Sequence, residues 1–197
     1  MILVFASNNA HKLAEVRAIM PAGFEVLSLN DIGFEKDIEE TGTTLEQNSS
    51  IKAETVYQWL KANGNKLQIN GVFADDTGLE IDALNGAPGV YTARWAGEAS
   101  SNRAKALREL KGIDNRGCQF RTVITLIRDG KSVQVEGIVR GSIATEEYGK
   151  GGFGYDPVFI PDGYAKTFGE LPAEIKNSIS HRARALNELI KVLKQAQ

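Results

Sequence analysis

The first 29 residues carry a strand–helix–strand pattern, and that pattern confines the chain to an α/β fold. Ile2-Leu3-Val4-Phe5-Ala6 is a short apolar run that breaks at Ser7-Asn8-Asn9, the profile of a buried strand entering a polar turn. From Lys12 to Met20, the residues Leu13, Val16, Ile19 and Met20 recur at helical spacing and form one apolar face. Pro21 and Gly23 end that helix, and Phe24 to Leu29 reads as a second strand.

The same reading extends along the chain. Thr43-Thr44-Leu45-Glu46 fits a capping box, with Glu46 three residues after Thr43, opening a helix that runs to about Ala62 and closes at Asn63-Gly64-Asn65. Val72-Phe73-Ala74 is expected as a strand that ends on Asp75-Asp76-Thr77-Gly78, and Ser101 to Leu110 as a helix stopped by Gly112. Gln119 to Arg128 alternates, with Phe120, Thr122, Ile124 and Leu126 on one face. Asp129-Gly130 is a hairpin signal, and Ser132 to Arg140 supplies the partner strand. A glycine-rich loop, Gly149 to Gly154, precedes a short strand at Pro157 to Ile160. Ser180 is placed to cap a last helix reaching Lys194, with Leu186, Leu189, Ile190 and Leu193 facing the core. Without repeats, low-complexity tracts or a long linker, residues 1–197 are expected to form one mixed α/β domain, with room for a cleft between two lobes.

Composition narrows the partners. A formal net charge of −2 offers no basic stripe for nucleic acid. No stretch reaches the ~18 apolar residues of a membrane span, and the N-terminus has no basic leader. The one cysteine, Cys118, lies in an apolar strand and reads as core; a disulfide framework is impossible, and a cytoplasmic protein is expected.

Five segments are candidates for chemistry. Ser7-Asn8-Asn9-Ala10-His11-Lys12 joins a strand end to a helix start, where backbone amides and a lysine suit a phosphate chain; a plain helix cap, with His11 exposed, explains the same residues. No Walker loop is present. Asp75-Asp76-Thr77-Gly78 puts two acids after an apolar strand, suited to magnesium and to a spare carboxylate that activates water, or to a polar turn. Glu39-Glu40-Thr41-Gly42 adds carboxylates, or is a solvated acidic loop. Gly149-Lys150-Gly151-Gly152-Phe153-Gly154-Tyr155-Asp156 offers a backbone that a ligand can approach, an aromatic ring to stack on a base and an acid for a base edge; a tight turn over a buried Phe153 is the rival. Lys176-Asn177-Ser178-Ile179-Ser180-His181-Arg182 sets two cationic residues at a helix start, against the local dipole, as a binding site or a solvated basic turn.

In order, these segments resemble the inosine/xanthosine triphosphate pyrophosphatase family, from Ser7 to Leu186. The most specific blocks are Ala74-Asp75-Asp76-Thr77-Gly78-Leu79, Gly86-Ala87-Pro88-Gly89-Val90-Tyr91-Thr92-Ala93-Arg94, Gly151 to Pro157 and Ile179-Ser180-His181-Arg182. The resemblance implies an elongated mixed α/β sheet with flanking helices, two lobes around a central cleft, and a homodimer. It implies Mg2+-dependent cleavage of noncanonical purine triphosphates (ITP, dITP, XTP) to the monophosphate and pyrophosphate. By the same resemblance, Ser7 to Lys12 match the phosphate turn, and Asp76 matches the general base and metal ligand. Glu40 matches the second metal ligand, with Glu46 as its rival. Lys52 and Thr77 match substrate contacts, and Phe153, Gly154, Tyr155, Asp156, Lys176, His181 and Arg182 match base and phosphate contacts. Asn8 stands where the family often has glycine, and is expected to tolerate positive φ there. Thr77 stands for a common serine, and Ala183 for a glycine. A Maf-like pyrophosphatase of different base choice, or a non-catalytic nucleotide sensor, are the alternatives. The first lacks the Ser-His-Arg and Gly-Gly-Phe-Gly-Tyr-Asp blocks; the second has no use for Asp75, Asp76 and Glu40.

Overall fold

The computed structural model describes residues 1–64, 67–152 and 154–195. Its strands are β1 (Ile2–Phe5), β2 (Glu25–Leu27), β3 (Gly71–Ile81), β4 (Pro88–Gly89), β5 (Gly117–Arg128), β6 (Lys131–Ile143) and β7 (Phe159–Pro161). Its helices are α1 (Ala10–Ile19), α2 (Leu45–Asn63), α3 (Ala99–Glu109), α4 (Ala173–Ile179) and α5 (His181–Gln195). The strand order is β2-β1-β3-β5-β6-β7, with β4 on β3. β1 pairs in parallel with β2 and β3, while β4 and β7 pair antiparallel, so the sheet is mixed, as expected.

The chain forms two compact units: Met1–Asp76, Thr122–Gly137 and Ala183–Gln197 in the first, Thr77–Arg121 and Ile138–Arg182 in the second. In the first unit, the period-two alternation of β1 and β3 sorts side chains onto two faces. Phe5 and Phe73 stack at 5.0 Å and pack with Val16 of α1 and with Ala185, Leu186, Leu189 and Leu193 of α5. Leu13, Ile19 and Met20 complete that face, as the helical spacing predicts; Ile190 does not belong to it. Val4, Ala6, Val72 and Ala74 point the other way, against Ala53, Val56 and Leu60 of α2. The second unit has its own core, built on Leu79, Ile81, Leu110, Phe120, Phe159 and Phe168. Cys118 belongs to that core; burial pushes its thiol up to about 12, which leaves no thiolate for nucleophilic chemistry.

Several expectations need correction. β3 does not end at Ala74: it runs through Asp75-Asp76-Thr77-Gly78 to Ile81, so the acids lie within a strand and neither at its carboxyl end nor in a turn. The box that caps α2 is shifted by one residue. Thr44 Oγ1 accepts from the Gln47 amide at 3.2 Å, and Gln47 Oε1 accepts from the Thr43 amide at 2.7 Å. Two threonines followed by Glu46-Gln47 allow either register, and the helix takes the one whose returning side chain is Gln47. Ser180 terminates a helix that the sequence reading missed, α4, immediately before α5 begins at His181. The alternation on β5 holds only at its start, because from Thr122 to Ile127 both faces are buried. Asp129 and Gly130 do form the hairpin turn, with φ of 52° and 75°, the paired positive values a two-residue turn requires.

Candidate active site

The course of β3 decides how the first unit presents its acids. Consecutive residues of a strand point to opposite faces. Asp75 therefore shares the face of Phe73, and α1 covers that face; Lys12 Nζ donates to Asp75 Oδ1 at 2.8 Å. Asp76 shares the face of Ala74, covered by α2; Lys52 Nζ donates to Asp76 Oδ1 at 3.4 Å and to Glu40 Oε1 at 3.1 Å. The loop that carries Glu40 is fastened to α2, since the Gly42 amide donates to Asn48 Oδ1 at 2.8 Å. A Cβ on Gly42 would come within 2.5 Å of that oxygen, so only glycine allows the approach.

The two pairs are electrostatically in touch. Burial pushes the Asp76 carboxyl above its ordinary range, outweighing the pull of Lys52, and the negative charges of Glu40 and Asp75 add to the rise against the opposing charge of Lys12. Burial alone would lower the Lys52 ammonium, but Asp76, Asp75 and Glu40 outweigh it and hold its pKa above the usual lysine value. The two partners rise for different reasons: Lys52 faces three carboxylates, whereas Asp76 faces two carboxylates against two lysines and rises through burial. Asp76 Oδ2 is buried without a hydrogen-bond partner. A buried oxygen left in that state costs free energy unless something is meant to reach it.

These residues suit a hard divalent cation. Asp76 and Glu40 converge on one positive charge, now the Lys52 ammonium, and Asp76 keeps an unused buried oxygen. Magnesium takes one or two carboxylates and completes its shell with water and phosphate oxygens, so it needs no cage of protein ligands. Among the described residues no group of three or more His, Cys, Asp or Glu side chains gathers as one.

At the start of α1, Asn9 caps the helix. Its Oδ1 accepts from the His11 and Lys12 amides at 3.0 and 3.1 Å, and its own amide donates to Ser7 Oγ. The helix-cap alternative thus accounts for Asn9, and those two amides are already engaged. Ala10 opens the helix, and His11 is exposed. Asn8 is exposed and keeps negative φ; among the described residues the non-glycine ones with positive φ are Gln68, Asn85 and Asp129. The turn therefore accepts the Asn8 side chain in ordinary backbone, and the tolerance of asparagine for positive φ is not called upon.

In the second unit, Lys176 Nζ donates to Asp156 Oδ2 at 2.7 Å, with side-chain exposures of 12% and 7%. Gly152, at φ +79°, lies so close to that carboxylate that a Cβ would strike it. The Tyr155 hydroxyl donates to the Thr92 carbonyl at 3.1 Å, and Arg103 Nη1 donates to the Gly154 carbonyl at 2.8 Å, so α3 and the segment after β4 anchor this loop. Sequence reasoning gave neither Thr92 nor Arg103 a role in the site; contacts 51 and 63 residues apart leave no local signature. The buried His181 ring stacks on Phe120, centroids 4.8 Å apart, and Arg182 beside it is also buried. Both stand at the start of α5, so the solvated-turn alternative fails for them. Thr77 is half-buried within β3. Phe153 lies outside the described residues. Replacing Lys176 by Met is expected to lower unfolding stability by about 3–5 kcal/mol, because Asp156 would keep a buried charge with its partner removed. Urea denaturation followed by circular dichroism measures it.

A mixed α/β sheet carries two buried acids on opposite faces, each met by a lysine from the helix that covers it. Residues 3–192 match the Ham1 family, and the chain belongs to that family. It is 48% identical, over 98% of both chains, to the dITP/XTP pyrophosphatase of Flavobacterium johnsoniae. Among solved structures it is similar to the Ham1 protein of Staphylococcus aureus, with a TM-score of 0.87 and 38% identity over the whole of both chains. It is also similar to the nucleoside-triphosphatase, or dITP/XTP pyrophosphatase, of Mycobacterium abscessus, with a TM-score of 0.73 and 40% identity over 96% of this chain and 98% of that one. Among the described residues no helix is long and apolar enough to cross a membrane.

Proposed function

We propose that this Ham1-family enzyme hydrolyses noncanonical purine nucleoside triphosphates (ITP, dITP and XTP) to the monophosphate and pyrophosphate, and so clears deaminated purines from the nucleotide pool. It acts as a cytoplasmic homodimer with Mg2+ as cofactor, and its two units serve one activity as a single functional domain. The observation that carries this reading is the buried, unpartnered Asp76 Oδ2 beside Glu40 and Lys52. The activity for which the similar proteins are named supports the substrate class.

Glu40 and Asp76 would hold Mg2+, which when bound neutralises phosphate charge and polarises the phosphoryl oxygens. The choice of Glu40 over Glu46 is supported by the Lys52 bridge, which sets Glu40 beside Asp76. Asp76 orients a water for in-line attack on the α-phosphorus and takes its proton. Asp75 holds Lys12 in place. Lys12 and Lys52 stabilise the charge that builds on the departing pyrophosphate. Ser7, Asn8, Asn9, Ala10 and His11 form the turn assigned to phosphate, with Asn9 also capping α1. Thr77, Phe153, Gly154, Tyr155, Asp156, Lys176, His181 and Arg182 are assigned to the base and phosphates.

Pyrophosphate release from a panel of triphosphates, with and without Mg2+, tests this function. Rapid release from ITP, dITP and XTP that stops on chelation is expected. Release of single phosphate, or the same rate without metal, contradicts it.

A further inference from the structure

Lys52 stands where a cation is wanted. Its ammonium bridges Glu40 Oε1 at 3.1 Å and Asp76 Oδ1 at 3.4 Å, and the residue is 8% exposed. Both contacts are long for charge-assisted hydrogen bonds, which favour about 2.7–2.9 Å. Lys12, by contrast, sits at 2.8 Å from Asp75. Lys52 is therefore held by the charge of the carboxylates more than by tight bonds. An ammonium and a divalent ion a few ångströms apart repel strongly in a buried site, so the two cannot share this carboxylate pair.

We propose that Lys52 is an internal counter-ion that keeps the Glu40–Asp76 pair closed to a divalent cation until a triphosphate draws its ammonium away, so that metal and nucleotide enter together. This rests on the reading of Glu40 and Asp76 as metal ligands. A polyphosphate tail offers the ammonium more negative charge than the two carboxylates it leaves, and the four-carbon stem lets it move without backbone change. The vacated carboxylates, with Asp76 Oδ2 already unpartnered, then face the incoming metal. Metal and nucleotide each strengthen the other's binding by the same factor, as linkage requires.

Binding of Mn2+, as a probe for Mg2+, tests this by electron paramagnetic resonance on the whole protein, with and without an α,β-methylene analogue of ITP that cannot release pyrophosphate. The wild-type chain is expected to bind Mn2+ at least about tenfold more tightly with the analogue than alone. Lys52→Met is expected to bind Mn2+ alone at least about tenfold more tightly than wild type, and to lose most of the coupling. Lys12→Met removes an equal charge from the Asp75 side and is expected to change metal-alone affinity by less than about threefold. If Lys52→Met does not fold, Lys52→Gln carries the same expectation. Equal Mn2+ affinity with and without the analogue in wild type overturns the proposal, as does a Lys52 variant no tighter than wild type or an equal gain in Lys12→Met. Tight Mn2+ binding that survives Glu40→Gln and Asp76→Asn in the Lys52→Met background would instead overturn the assignment of the ligands, and the proposal with it.

Discussion

Asp76→Asn is expected to lower kcat for pyrophosphate release by about 10³-fold or more while leaving the melting temperature equal to or above that of wild type. The activity loss follows from two roles removed together. Asparagine cannot take a proton from water, and its amide is a poorer ligand for a hard cation. The stability effect follows from the direction of the Asp76 shift. Its carboxyl is raised in the folded chain above the ordinary value of 3.8. A raised carboxyl binds its proton more tightly when folded. Its contribution therefore favours folding below the unfolded pKa and is lost as the pH rises through the folded one. At neutral pH the ionised Asp76 costs stability and asparagine removes that cost, while the buried Lys52 ammonium keeps the Glu40 carboxylate as its counter-charge. Activity and stability moving in opposite directions would mark a site built for chemistry rather than for the fold. A parallel loss of both would mark Asp76 as structural, and near-normal turnover would remove it from the mechanism.

Base choice carries the second large effect. ITP is expected to exceed ATP in kcat/KM by about 10⁴-fold, because a site that hydrogen-bonds a substrate group leaves its own buried partners unsatisfied when that group is missing. Hypoxanthine and xanthine present a 6-oxo acceptor where adenine presents an amino donor. The buried His181 and Arg182 and the largely buried Lys176 side chain are the kind of donors an oxo group needs. Asp156 already receives Lys176 and is crowded by Gly152, so it is less available to a guanine 2-amino group than an isolated carboxylate would be. Steady-state kinetics on the two triphosphates measure the ratio, and equal efficiencies would sink the polar-edge account of specificity.

The candidate site was legible as residue types in order, and little of it as pairings. Lys12 and Asp75 are 63 residues apart, and nothing local ties them. The course of β3 hid for a physical reason. Asp-Asp-Thr-Gly has the composition of a turn, yet the strand continues through it, and within it each acid meets a lysine on its own face. That is a tertiary effect, absent from any window of sequence. Helix α4 escaped notice because Ala173–Ile179 is short and carries only Ile175 and Ile179 at helical spacing, after a proline. The faces of α1 and α5 and the Asp129-Gly130 turn were readable, because amphipathic period and positive φ are local demands.

Hydrolysis of ITP in water enriched in oxygen-18 tests most directly whether the enzyme sends an activated water to the α-phosphorus. One labelled oxygen per turnover is expected in the inosine monophosphate and none in the pyrophosphate. Label appearing in the pyrophosphate would mean that water attacks the β-phosphorus, which contradicts the mechanism assigned to Asp76.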